Sequence, residues 1–339
     1  MIKKFLAAVL MTISSAAALA VPFGSQSVLV VEDDTGKVLF EKNASTVAPI
    51  ASLTKLMTAM VVLDAHQDMN EPIEIDKSDV DTLKHSSSRV PVGATIPRRD
   101  VLQLALMSSD NRAAASLGRT YPGGMDAFRL AVKRKIAALG MTQTVIEEPT
   151  GLSPHNKSTA ADLVKMATAA SNYAEITRIT TSTDHLINIK GRDVEYHNTN
   201  RLVGAKGWDI GLSKTGYTQE AGRCLIMRVK AAGKNATMVL LNAGASSVRV
   251  LDALNIRRHV LGDTIPVVAA APKAPRVRSS LRAAVGGPRI KASVGGPRIK
   301  ASARGPRVKA SAGVRVKASA ARSARVKKAV VVSRHRRHR

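Results

Sequence analysis

The order of periodicities along this chain predicts an α/β protein of the α+β kind. It is an antiparallel sheet flanked by helices, with a helical subdomain inserted in the middle. Three observations carry that expectation. Two alternating apolar stretches lie near the N-terminus, at Ser27–Val31 and Lys37–Phe40. A long central section then has apolar residues at helical spacing. From His185 the alternation returns, and a closing helical stretch follows it. Early and late strands can share one sheet only if the intervening helices lie on its faces or form an insertion.

The first two stretches read as a hairpin around Asp33-Asp34-Thr35-Gly36, whose composition suits a tight turn. Ser52 then opens a helix with Leu56, Met60 and Leu63 on its apolar positions. A second helix spans about Arg99–Met107, breaks at Ser108-Ser109-Asp110-Asn111 and resumes through Ala115 to Thr120. Met125–Leu139 is helical and stops at Gly140, a suitable C-terminal cap. Thr159-Ala160-Ala161-Asp162 has the form of an N-terminal capping box. Strands are expected at His185–Lys190, Asp209–Ser213, Arg223–Val229 and Thr237–Asn242, then a last helix over Ser247–Val260. This order places the helix beginning at Ser52 near the strand that ends in Lys214.

The two termini differ from this body. Lys3 and Lys4, an apolar run beginning at Phe5 and the small-residue site Ala18-Leu19-Ala20 form a signal peptide over residues 1–20. The run is short for a membrane span and contains Thr12, Ser14 and Ser15. The chain is therefore expected in the periplasm, with a folded domain over residues 21–263. The formal net charge is +27, yet 21 of the 52 Lys plus Arg lie after Asp263, where no Asp or Glu occurs. There Val285–Ser293 recurs as Val294–Ser302, approximately as Ala303–Ser311, and in shortened form at Ala312–Ser319. Such units bury too little to offset the entropy of ordering, so residues 264–339 are expected to be a disordered basic tail. Its partners would be anionic cell-envelope polymers. Nucleic acid would bind it in the test tube, but the tail lacks aromatics for base stacking and the leader directs the chain away from DNA. Cys224 is the one cysteine, so no internal disulfide forms. No Cys/His cluster suggests a metal, and no cofactor is expected.

Three short motifs carry the chemistry: Ser52-Leu53-Thr54-Lys55, Ser109-Asp110-Asn111 and Lys214-Thr215-Gly216. Each alone is weak. Ser52 and Lys55 could be a helix cap and a solvated lysine, Ser-Asp-Asn an ordinary helix boundary, and Lys-Thr-Gly a turn. Together they supply a nucleophile, a base, a proton relay and an anion clamp. Residues three apart on a helix share a face, so Lys55 lies beside the Ser52 hydroxyl. A serine needs its proton removed, and a lysine can act as base when burial or a neighbouring cation keeps it neutral. Lys214 is the candidate cation. The Ser52 backbone N–H, at a helix N-terminus, faces a developing oxyanion. Ser109 would shuttle protons and Asn111 would hydrogen-bond the substrate backbone. Lys214 and Thr215 suit a carboxylate, and Gly216 lets a ligand approach the strand.

With these motifs the chain resembles the low-molecular-mass penicillin-binding proteins, serine D-alanyl-D-alanine peptidases acting on peptidoglycan. It is similar in particular to the D-alanyl-D-alanine endopeptidases among them. The resemblance extends through Pro49–Met60, Leu104–Leu117, Glu148–Leu152, Ser213–Tyr217 and Glu220–Cys224. It implies a transpeptidase-like fold and an acyl-enzyme on Ser52, with Lys55 as base. It assigns assisting roles to Ser109 and Asn111, substrate binding to Lys214 and Thr215, and the backbone N–H of Tyr217 to the oxyanion hole. Peptidoglycan stem peptides would be the substrate and β-lactam antibiotics covalent inhibitors. Two departures point away from a strict carboxypeptidase. Many carboxypeptidase relatives have an Arg where this chain has Thr199, and many carry a second β-rich domain and a membrane-binding helix that do not follow Asp263 here. A β-lactamase shares the three motifs, but its deacylating Glu would have to lie in Glu147–Leu152, at the wrong spacing.

Overall fold

The computed structural model describes residues 23–263. The expected leader over residues 1–20 and the expected basic tail over 264–339 lie outside the described residues. β1 (Ser25–Glu32) turns back into β2 (Val38–Lys42), the expected hairpin. After β3 (Ala48–Pro49) a short 3₁₀ turn at Ala51–Leu53 leads into α1 (Thr54–Asp64). The helical section holds β4 (Pro72–Glu74), β5 (Thr95–Pro97), α2 (Arg98–Leu106), α3 (Asn111–Arg119) and α4 (Gly124–Ala138). It continues through β6 (Lys157–Ser158), α5 (Ala160–Ala170) and α6 (Ala174–Thr181). A hairpin of β7 (Asp184–Ile189) and β8 (Arg192–His197) follows. Then come β9 (Asp209–Thr218), β10 (Gly222–Ala231), β11 (Lys234–Ala243) and α7 (Ser246–Asn255), which runs on as a π turn through Ile256–Val260.

The main sheet has the order β2-β1-β11-β10-β9, each neighbour antiparallel. The first hairpin thus lies beside the last three strands. Strand alternation sends successive side chains to opposite faces. Val28, Val30, Leu225, Met227, Met238 and Leu240 pack on one face with Ala253 and Ile256 of the closing helix. Leu29, Cys224, Ile226, Val239 and Leu241 pack on the other, against the helical section. Cys224 is fully buried there, and burial pushes its thiol up to about 11.

α1 is the core of the helical section. Thr54 through Val62 are all buried, as expected of a helix enclosed on every side. Leu56, Met57 and Met60 are 0% exposed, and each buried side chain of this kind contributes about 1.5–3 kcal/mol. This packing fixes the axis from which Lys55 projects.

Several boundaries differ from the sequence expectation. Ser52 lies in the 3₁₀ turn, and the α-helix proper starts at Thr54. α3 begins at Asn111 rather than Ala115, because the Asp110 carboxylate caps it by accepting from Ala113 N. Lys214–Gly216 lies inside β9, where five rungs of pairing run beyond the expected end at Ser213, from Lys214↔Ile226 to Thr218↔Gly222. Thr159 caps α5 by accepting from Asp162 N, but the Asp162 carboxylate turns to Gln143 N and Thr144 Oγ1, so only half of the box forms.

Candidate active site

Three elements meet at one cleft: the 3₁₀ turn with α1, the α2–α3 junction, and β9 at the sheet edge. Their approach depends on two glycines. A Cβ on Gly151, at φ +84°, would lie 2.0 Å from the Ala51 carbonyl oxygen. A Cβ on Gly216 would lie 3.0 Å from Ile50 O and 3.2 Å from Ser52 N. Gly216 therefore has a reason beyond the expected one. The protein's own turn comes close to it, which sets Ser52 against the strand. Ala51 itself holds φ +47°, a strained value for a residue with a side chain.

Lys55 Nζ donates to Ser52 Oγ at 2.8 Å, to Asn111 Oδ1 at 2.7 Å and to Thr150 O at 2.6 Å. These three bonds use every N–H of an ammonium. Burial pushes Lys55 down to about 8, against the attraction of Glu148, Asp110 and Asp81. Lys214 Nζ donates to Ser109 Oγ at 2.8 Å and Thr215 O at 3.0 Å. Burial first, then the charges of Lys55 and Arg249, hold it well below the ordinary lysine range. Burial is thus the larger cause for both lysines, in keeping with one of the two expected routes to a neutral amine.

Ser109 sits at φ +60°, where the break between α2 and α3 turns its hydroxyl toward Lys214. Asn111 also has partners within the protein. Its carbonyl oxygen is taken by Lys55, and its amide donates to Ser86 Oγ at 2.8 Å. In this state it positions the base, and the second N–H of its amide remains for a substrate backbone. Thr215 Oγ1 lies 2.7 Å from Thr199 Oγ1, so Thr199 occupies the place beside the Lys-Thr-Gly strand that the sequence comparison gave it. The Tyr217 ring is half exposed, with the Arg223 guanidinium 3.5 Å from its centroid. The cleft thus brings together Ser52, Lys55, Ser109, Asn111, Lys214, Thr215 and Gly216, with Tyr217 next along the strand.

Sequence reading missed the supports. Thr150 supplies the carbonyl that holds Lys55. Glu148 organises that loop: its carboxylate accepts from Thr150 N at 2.7 Å, Gly151 N at 2.6 Å and Asn156 Nδ2 at 3.0 Å. Asn156 is fully buried and also donates to Thr54 Oγ1 at 3.2 Å. The Glu148 carboxylate, so occupied by its own loop, is not poised to activate a water on an acyl-enzyme. Ser86 and Ser88, from the 81–88 loop, hold Asn111 and Asp110. The signal for these was faint, a run of three serines and an isolated Asn.

The geometry has counterparts among known proteins. The chain is 43% identical over 266 residues to a D-alanyl-D-alanine endopeptidase of Pseudomonas aeruginosa, spanning 78% of this chain and 86% of that one. It is 41% identical over 265 residues to a D-alanyl-D-alanine endopeptidase of Escherichia coli, spanning 77% and 86%. The DD-transpeptidase of Streptomyces K15 shares the fold, with a TM-score of 0.67 at 24% identity over 71% of this chain and 98% of that one. Penicillin-binding protein D2 of Listeria monocytogenes, solved with cefotaxime bound, aligns with a TM-score of 0.61 at 27% identity over 71% and 98%. The family model for D-alanyl-D-alanine carboxypeptidases, peptidase S11, matches residues 13–245, and the chain belongs to that serine peptidase family.

Proposed function

We propose that this enzyme hydrolyses D-alanyl bonds of peptidoglycan stem peptides through an acyl-enzyme on Ser52, and that it prefers the D-alanyl-diaminopimelate cross-link. The observation that carries the chemistry is the Lys55 amine 2.8 Å from the Ser52 hydroxyl, in a buried pocket that pulls it toward neutrality. Once Lys55 has lost a proton, its lone pair lies on the axis to Ser52 Oγ. Ser52 attacks the D-alanyl carbonyl as its hydroxyl proton passes to Lys55, and the N–H groups of Ser52 and Tyr217 receive the oxyanion. Ser109, held by Lys214, relays a proton to the departing amine as the C–N bond breaks. Water then hydrolyses the ester and frees Ser52. Lys214 and Thr215 hold the substrate carboxylate. With a β-lactam the same attack opens the ring and leaves Ser52 acylated.

The cross-link preference rests on the 43% and 41% identity to proteins named as endopeptidases and on the Thr199–Thr215 contact. A hydroxyl in place of a guanidinium clamps a terminal carboxylate less firmly and leaves room for a longer leaving group. Digestion of purified cross-linked and uncross-linked muropeptides, with products identified by mass, tests this. Monomers should accumulate from dimers. Free D-alanine as the sole product, with dimers intact, would make the enzyme a carboxypeptidase.

The leader directs the chain to the periplasm. The tail, with 21 cations and no anions over residues 264–339, acts as a polyelectrolyte tether to anionic envelope polymers and raises the local enzyme concentration at its substrate.

A further inference from the structure

We propose that a cationic groove beside the catalytic cleft, lined by Arg89, Lys190 and Arg192, binds carboxylates of the second stem peptide in a cross-linked substrate. The proposal rests on the peptidoglycan reading above. The groove is a concavity of about 360 Å³ floored by Pro91, Ile189 and Val194. Its charge follows from strand alternation. Cross-strand partners share a face, and Ile187↔Val194, Ile189↔Arg192 and His185↔Tyr196 are pairs of the β7–β8 hairpin. Ile187, Ile189 and Tyr196 are buried, so that face looks inward, and Arg192 is carried on it. Asp193 and Glu195 fall on the opposite face, where Asp193 accepts from Asn188 Nδ2 and Glu195 lies 4.0 Å from His197. The hairpin thus turns its cation into the groove and its acids away from it.

Lys190, at the hairpin tip, reaches across to Val92 O at 3.5 Å, and Arg89 lies 4.0 Å over the Tyr196 ring. None of the three cations makes an ion pair among the described residues. Beneath Arg89 the Tyr196 hydroxyl is buried and without a hydrogen-bond partner, a donor lacking its acceptor. An apolar floor under three uncompensated cations suits a short peptide that carries carboxylates and small methyl side chains.

Both walls of this groove continue along the chain into the catalytic cleft. Arg89 directly follows Ser88, which holds Asp110 of the Ser-Asp-Asn motif at 2.7 Å. β8 runs on into Thr199, whose hydroxyl meets Thr215. A leaving group that continues past Thr215 is led along β8 toward Arg89 and Arg192. A terminal D-alanine does not extend that far, whereas the second stem of a cross-link does.

Binding to the inert Ser52→Ala protein separates this inference from the catalytic reading. The probes are a fluorescently labelled stem-peptide dimer with free carboxylates, the same dimer with the second stem's carboxylates amidated, and the monomeric stem. Each is titrated against Ser52→Ala and against Ser52→Ala carrying Lys190→Glu and Arg192→Glu. The double reversal should weaken the acidic dimer about tenfold, since each exposed charge contact is worth a few-fold. It should move the amidated dimer and the monomer by less than about twofold. Arg89→Ala, a milder change, should weaken the acidic dimer about threefold and confirms the result if the double variant folds poorly. Equal affinity of the acidic dimer for all proteins overturns the proposal, and so does an equal loss for monomer and dimer. If wild-type enzyme fails to cleave dimers while this charge dependence holds, the cross-link preference falls and the groove stands.

Discussion

At the scale of single residues, Ser52 and Lys55 are the test of the chemistry. Ser52→Ala should abolish covalent labelling by penicillin with the fold intact, as read by mass and circular dichroism. Labelling that persists in the folded variant would move the nucleophile elsewhere. Lys55→Ala should slow acylation about 10²–10⁴-fold even at saturating ligand, the usual worth of a general base. In wild type the acylation rate should rise with pH through about 8, where buried Lys55 loses its proton, and then level. The stability consequence has a definite sign. Lys55 is depressed from 10.5 to about 8 in the fold, so between those values the unfolded chain binds more protons than the native one. Wild-type stability, measured against Lys55→Ala, should therefore increase with pH across that window, and burial of the charged form should count against the fold below it. A wild-type minus variant difference that is flat in denaturant titrations across that window would contradict the burial of this amine. The motif residues were legible because the chemistry dictates their types and spacing. Asn111 was legible as a participant but its contacts to Lys55 and Ser86 were not, because Ser86 comes from a loop 25 residues away in sequence.

Among the elements, the loop over Glu148–Leu152 bears most directly on the site. Gly151→Ala would place a methyl against the Ala51 carbonyl at a backbone angle that alanine resists. It should push the Ser52 turn outward, lower stability by more than about 1 kcal/mol and slow acylation. Thermal unfolding and acylation kinetics on one preparation check this, and a fully active, equally stable variant would remove the loop from the account. Asn156→Ala should act in the same direction, because it unpairs Glu148 and Thr54 within the core. The strands of the main sheet and the long helices were legible through their periodicity. β8 was missed because Arg192-Asp193-Val194-Glu195-Tyr196-His197 is charged on its outer face and only its partner β7 reveals the pattern. α6 was missed because Ile176, Thr177, Ile179, Thr180 and Thr181 are β-branched, and packing overrides their weak helix propensity. The end of β9 was misplaced because Gly216 reads locally as a turn, whereas tertiary approach of the Ser52 turn is what requires it.

Over the whole molecule, two expectations concern how charge and substrate meet. A chain truncated after Asp263 should bind isolated sacculi less than the full mature chain at low salt, while its cleavage of small soluble muropeptides stays the same. Retention of the full chain should fall as salt rises, since exposed charges are screened over about 8 Å at physiological ionic strength. Equal sacculus binding by the two chains would remove the tether. The fold itself carries one more usable property, in its solitary thiol. Cys224 lies on an inner strand with both neighbours paired, and its proton is held up to about 11. At pH 8 only about one molecule in a thousand would carry the reactive thiolate even if reagent could enter. The native protein should therefore resist thiol-reactive dyes for as long as β10 stays seated between β9 and β11. Each molecule can take up one label and no more, so the rate of mass gain becomes a clock for sheet opening. The enzyme contains its own unfolding sensor, and stabilisation by an acylating antibiotic could be timed with it without any engineered probe.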